Sequence, residues 1–315
     1  MRKNIAKFGL FVLAIIGIYS CSDDDTKVET IEKKPTATEF KALETAALEN
    51  LTQHFTINVS NGTTTINTEK GVSITIDPTC LTKNGNPVSG IVDVTVIEIF
   101  NRGNMLVANK PTTATAGTGE KKLLISGGEF YVNASQNDAR LETTCGYQIK
   151  VPAALSGEAD YDMEPFLGSI DSNGELFWAA GGGMEFWVSA GPNQPVPAYY
   201  SSFVSNFGWF NCDKFANFPG PFTAISVLLP QGYNNDNSNV FIALNGEPNT
   251  LGYLYEQFPI GLNCHIIFVT EADGMFRYAI KSIASLPNNA SYIFDVSELV
   301  TGTEAQTIAA INALP

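Results

Sequence analysis

Positive charge and histidine are both scarce in this chain. Lysine and arginine number 18 against 32 aspartates and glutamates, a formal net charge of −14. Such a surface repels phosphate backbones, and the cations stand as singles and short pairs with no basic patch to release counterions, which excludes nucleic acid as a partner. His54 and His265 are the only histidines. One histidine is enough for a Ser-His-Asp triad, yet the chain has no G-x-S-x-G, HExxH, Walker loop or dinucleotide fingerprint. Both histidines are therefore expected to be structural, and no catalytic residue is nominated. Also missing are a CxxC or Cys/His spacing for zinc, a repeat of fixed period, and an apolar run long enough to stay in a membrane. The longest, Phe8 to Ile18, is eleven residues, where a spanning helix needs about 20.

That short run has a different use. Arg2, Lys3 and Lys7 precede it with no acid, and it closes in Tyr19, Ser20 and Cys21, the charged head, apolar middle and small residue of an export signal. Ile18-Tyr19-Ser20-Cys21 resembles the lipobox of bacterial lipoproteins, although Tyr19 is bulkier than the usual residue. The resemblance implies that residues 1–20 are removed, that the Cys21 thiol takes a diacylglycerol, and that the freed amine is acylated, with palmitate as the expected kind of chain. Ser22-Asp23-Asp24-Asp25 resembles the acidic signal that sends Bacteroidota lipoproteins to the outer face of the outer membrane. The alternative reading is that these aspartates merely solvate a tether. Two or three acyl chains anchor a protein lastingly, so the expected membrane partner is reached through lipid alone.

Removing Arg2, Lys3 and Lys7 with the signal leaves 15 basic residues against 32 acidic ones, or −17, on 295 mature residues. At roughly 100 to 200 residues per domain, two folded units are expected. Residues 21–38 are polar and broken by Pro35, and read as a disordered tether. A short helix follows, with Thr38 as its expected cap and Phe40, Leu43, Ala47 and Leu51 on one face. From Phe55 the period becomes two: Phe55, Ile57 and Val59, then Val72, Ile74 and Ile76, then Val92, Val94 and Val96. Asn61-Gly62 and Asn84-Gly85 are expected hairpin turns. The handover from Val96 to Ile97 and Ile99 suggests a β-bulge. Leu123 to Ala134 and Tyr147 to Val151 complete strands at sandwich-like spacing.

Gly71-Val72-Ser73-Ile74-Thr75-Ile76-Asp77-Pro78, with Leu81 and a strand from Gly90, resembles the opening of a ZU5-type β-sandwich over about Glu69 to Pro152. Such domains serve as interaction modules, and the motif brings no ligand-binding residue with it. Residues 153–218 form an aromatic-rich bridging region holding Trp178, Trp187 and Trp209, with an Asn173-Gly174 turn; Gly208 to Phe215 resembles a segment of uncharacterised Bacteroidota lipoproteins. Residues 219–315 form a second set of strands, with a hairpin of Ile266–Thr270 against Phe276–Ile280 turned by Ala272-Asp273-Gly274. Thr303 and Gln306 form a capping box for a terminal helix. The expected fold is thus all-β, two immunoglobulin-like β-sandwich domains (39–152 and 219–315) joined by that bridge, with a short helix near each end.

Three kinds of site follow. Cys80, Cys145, Cys212 and Cys264 remain after lipidation, an even count in an oxidising compartment. The domain division favours Cys80 with Cys145 and Cys212 with Cys264, against four buried free thiols. Glu158, Asp160, Asp162 and Glu164 alternate, so in an extended segment they can turn carboxylates toward one Ca2+ ion, which takes about 6 to 8 oxygens; an acidic solvated loop is the rival explanation. Trp178, Trp187 and Trp209 offer flat faces for glycan stacking, against ordinary burial in strands. The expected role is a non-catalytic binding or structural module for a protein or glycan ligand, with carbohydrate binding or glycan processing as the rival.

Overall fold

Alternating burial is the organising signal in the computed structural model, which describes residues 33–117, 119–182, 184–189, 197–255 and 257–315. The signal segment, Cys21 and most of the tether lie outside them. Residues Lys34–Pro315 form one compact unit, and the fold is all-β apart from three short helices. No described helix is long and apolar enough to cross a membrane.

Two sheets enclose the first core. The larger runs in the order Thr52–Asn58, Ile91–Ile99, Lys121–Gln136, Gly208–Phe215, Glu164–Ile170, Leu176–Ala180 and Thr113–Thr115, with Ala139–Arg140 hooked onto its longest strand. The smaller runs Phe186–Val188, Tyr199–Val204, Tyr147–Pro152, Ser73–Ile76 and Thr64–Asn67. Val92, Val94, Val132 and Phe210 of the first meet Ile74, Ile149, Val151 and Tyr200 of the second. The aromatic-rich stretch 153–218 is woven into both sheets and supplies five of their strands.

The opposite face of the large sheet is covered as well. Helix α1 (Ala37–Asn50) brings Phe40 and Ala47, α2 (Arg102–Val107) brings Met105 to Val107, and α3 (Glu304–Asn312) brings Ile311. A third sheet, Gly252–Tyr253, Ser238–Leu244, Cys264–Ala272, Met275–Ile283 and Val300–Gly302, closes this second core with Phe241, Ile267 and Phe276. Its other face carries Ile266 and Phe268 into a third core with Phe258 and Ala290, under a small sheet of Gln257–Pro259, Phe222–Leu228 and Ala290–Ile293.

Covering both faces of the large sheet explains why Val96, Ile97, Glu98 and Ile99 are all buried. Their change of phase reflects a two-sided core, and the Ile91–Ile99 strand pairs without a register break on both flanks. The bulge falls elsewhere: Asn211 faces Glu129 while Asp213 faces Ser126, so Gly127 and Gly128 together oppose Cys212. Gly128 has φ +128°, and a Cβ there would sit 2.6 Å from the Phe100 ring, so only glycine fits the turn of the backbone.

Other local expectations divide similarly. Asn84 and Gly85 (φ 52° and 78°) and Asp273 and Gly274 (52° and 76°) turn hairpins, and the 164–170 and 176–180 strands pair around Gly174. Asn61-Gly62 does not make one. Val59–Asn61 is a 3₁₀ turn, Thr52–Asn58 pairs in the large sheet, and Thr64–Asn67 pairs in the smaller one, so this segment crosses between layers. Helix α1 is capped by Thr36 in a capping box with Glu39, two residues before the expected cap. Lys34 and Pro35 already pack: the Lys34 amine lies over the Tyr233 ring, and Pro35 accepts a hydrogen bond from Asn237 Nδ2 at 3.0 Å. The Thr303–Gln306 capping box is formed.

Candidate functional site

Apart from Cys21, which lies outside the described residues, each residue nominated from sequence has a definite place. Cys80 and Cys145 form a disulfide. Cys212 and Cys264 do not pair; they are free and buried, one in the first core and the other in the third, so layers of side chains separate them. Asp160 spends its charge on Lys214, 2.6 Å away, and accepts the backbone N–H of Asp162 at 2.9 Å. Burial is the largest single influence and would raise its pKa, but the Lys214 hydrogen bond, the Asp162 N–H and the Lys214 charge together outweigh it and hold the pKa below the usual range. Glu158, Asp162 and Glu164 are exposed, and the four carboxylates do not converge. Among the described residues the one group of three potential ligands close together is Asp77, Cys80 and Cys145, where both sulfurs are consumed by the disulfide.

The tryptophans do not share a face. Trp178 is fully buried, its indole N–H donates to Pro111 O at 3.0 Å, and it meets Trp209 edge-on at 6.2 Å. Both belong to the second core, whereas Trp187 is 40% exposed on the edge of the smaller sheet. Of the histidines, His54 is exposed and 3.6 Å from Glu49. His265 is buried, shares a hydrogen bond of 2.9 Å with Ser282 Oγ, and has its pKa lowered by burial and by the charge of Arg102. An imidazole discouraged from taking a proton is a poor general base.

Two arrangements stand out that were not nominated. The first is a buried polar cluster produced by the double-glycine bulge, which brings Glu129, Asn211 and Asp213 together. Asn211 Nδ2 donates to Asp213 Oδ2 at 2.7 Å, while both Glu129 oxygens, Asp213 Oδ1 and Asn211 Oδ1 meet no donor. Burial, with the Asp213 charge added, pushes Glu129 well up; burial likewise pushes Asp213 up against hydrogen bonds from Ser126 and Gly127. Burial and, for Glu129, the neighbouring Asp213 charge favour the protonated carboxyl over the ionised one. Lys110 nearby donates to Asn109 O at 3.0 Å and is lowered to about 8, chiefly by burial. A lone acid after Gly-Gly in the otherwise apolar Leu123–Ala134 run was the available signal for this cluster.

The second is a cleft of about 750 Å³ between the large sheet and the small three-stranded sheet. It opens where the Gly208–Phe215 strand leaves its sheet: Ala216 N–H still bonds Leu123 O at 2.9 Å, and the chain then crosses to Phe222–Leu228. Phe218, Phe222, Tyr255 and Pro259 form its apolar side. Phe222 is 50% exposed and faces Pro259 in register, and Tyr255 stacks on Phe258 with ring centres 4.2 Å apart. Burial pushes the Tyr255 phenol up to about 12, so it stays a neutral hydroxyl. The polar side comes from Glu120, Lys122, Asn217 and Gln257, all exposed. The Lys121 amine is turned away onto Thr115 Oγ1, at 3.0 Å, and the Phe177 ring. No such cleft can be read from a linear pattern, because its walls come from three separated segments.

No protein-family model and no curated protein sequence matches the chain.

Proposed function

We propose that this chain is an outer-membrane lipoprotein, anchored through Cys21 and facing the cell exterior, that works as a non-catalytic binding module. The observation that carries the binding role is the cleft at the sheet junction, where an accessible aromatic wall faces accessible hydrogen-bonding groups. Pockets that bind small ligands commonly combine apolar walls with a few placed polar groups and lie at junctions of layers. The ZU5-like reading of Glu69 to Pro152 agrees with an interaction role.

The anchoring half of the proposal rests on the lipobox and the acidic stretch after it. Growing the source cells with radiolabelled palmitate, and recovering the protein from intact and protease-treated cells, tests it directly. The expected result is label in the wild type, none in Cys21→Ser, and digestion of the wild type from the outside of intact cells. A product that keeps its first twenty residues, or takes up no fatty acid, refutes the anchor. Label with full protection from external protease refutes the outward orientation.

A further inference from the structure

Resting on the binding-module reading, we infer that the cleft beside Phe222 and Tyr255 takes a neutral saccharide. The chemistry of its two walls selects this class. A sugar ring presents C–H groups on its faces and hydroxyls around its rim, and a flat aromatic side chain with a polar neighbour serves both. Phe222 and Tyr255 supply the first surface, with half of Phe222 open to solvent. Asn217 and Gln257 each bring a donor and an acceptor, the pairing that a hydroxyl group uses fully.

Competing ligand classes fit less well. Among the charged groups, Glu120 faces the cleft beside Lys122, while the Lys121 ammonium is engaged on Thr115 and Phe177. The Lys122 ammonium likewise lies over the Phe215 ring, 5.7 Å from its centre, so among the described residues of the cleft no unengaged cation is available for an anion such as a phosphate ester. A lipid chain wants an enclosed apolar tube, and this cleft is open and about half polar. An extended peptide would add itself to a sheet edge. The nearest edge strand, Gln257–Pro259, is three residues long and contains a proline, which blunts that mode.

The test is isothermal titration of the full mature protein in detergent with four neutral hexasaccharides (of maltose, xylose, mannose and chitin type) and with laurate. At least one hexasaccharide is expected to bind, and Phe222→Ala or Gln257→Ala should each weaken it about tenfold, the loss of a central aromatic or polar anchor. Phe222 is half exposed and Gln257 exposed, so neither change removes core, and Trp187→Phe, outside the cleft, should leave affinity unchanged. Binding that survives both cleft variants, or that Trp187→Phe abolishes, overturns the assignment. Heat with laurate alone overturns the saccharide while leaving the binding module standing. Heat with none of the five overturns the saccharide assignment, and the palmitate experiment still decides the anchored reading separately.

Discussion

Replacing Glu129 with glutamine separates a proton retained on folding from an ordinary buried charge. Glu129 and Asp213 occupy neighbouring strands inside the second core, their outward-reaching oxygens meet no donor, and both titrate well above the ordinary carboxyl range because of burial, with Glu129 raised further by Asp213. In the unfolded chain the two acids lose their protons near about 4.3 and 3.9. Between those values and the higher folded ones, the native state holds protons that the unfolded state has released. Stability is therefore fullest below the unfolded pKa and is lost as pH rises toward the folded one. Each proton so retained costs about 1.4 kcal/mol per pH unit. Lys110, depressed to about 8, contributes in the opposite sense, its share being present above about pH 10 and lost as pH falls through 8. At pH 5 and 6 it is protonated in both states and stays out of the measurement, and toward pH 7.5 it begins to titrate in the folded state and offsets part of the carboxyl slope in wild type and variant. Glutamine keeps the shape, needs no proton, and supplies two N–H donors for Asp213 Oδ1 and Asn211 Oδ1. Guanidinium denaturation at pH 5, 6, 7 and 7.5 should show Glu129→Gln more stable than wild type by about 1 to 3 kcal/mol at pH 7.5, with the slope against pH reduced by about one proton. A variant that is less stable at pH 7.5 and keeps the wild-type slope would refute the proton retained on Glu129.

Two further outcomes follow from buried groups described above. Arg102 is fully buried and donates to the carbonyls of Ile311, Leu244 and Leu314. Arg102→Met strands at least two of these acceptors and should cost about 2 to 4 kcal/mol in guanidinium denaturation; a loss under 1 kcal/mol would mean that water replaces the guanidinium. The Cys80–Cys145 bridge closes 65 residues of sequence separation, worth about 4 kcal/mol on the chain-entropy model. Alkylation of the unreduced chain in denaturant should label Cys212 and Cys264 and leave Cys80 and Cys145 unlabelled, and the Cys80→Ala, Cys145→Ala double variant should lose stability of that order. Four reactive thiols would contradict the bridge.

Strands were legible in the sequence wherever one face met water, as in Val92–Val94–Val96, because a half-buried strand must alternate. Legibility failed where both faces were covered: Val96 to Ile99 read as a bulge because the sequence does not reveal that α1 and α2 lie over the second face. Asn84-Gly85 and Asn61-Gly62 look alike locally, yet only the first joins strands that pair with each other. The choice between them is made by sheet partners far along the chain. The same limit governs the sites. Acids close in sequence, Glu158 to Glu164, face outward or onto Lys214. The acids that do interact, Glu129 and Asp213, are brought near each other by strand order and the double-glycine bulge. Trp178 and Trp209 carry polar tips, but a single carbonyl at Pro111 is enough to satisfy the Trp178 indole inside a core.

The anchoring of Arg102 also sets an order of events during synthesis. Its guanidinium is fully enclosed only when the carbonyls of Ile311 and Leu314 join that of Leu244, so this part of the second core cannot close until more than two hundred residues beyond Arg102 have been made.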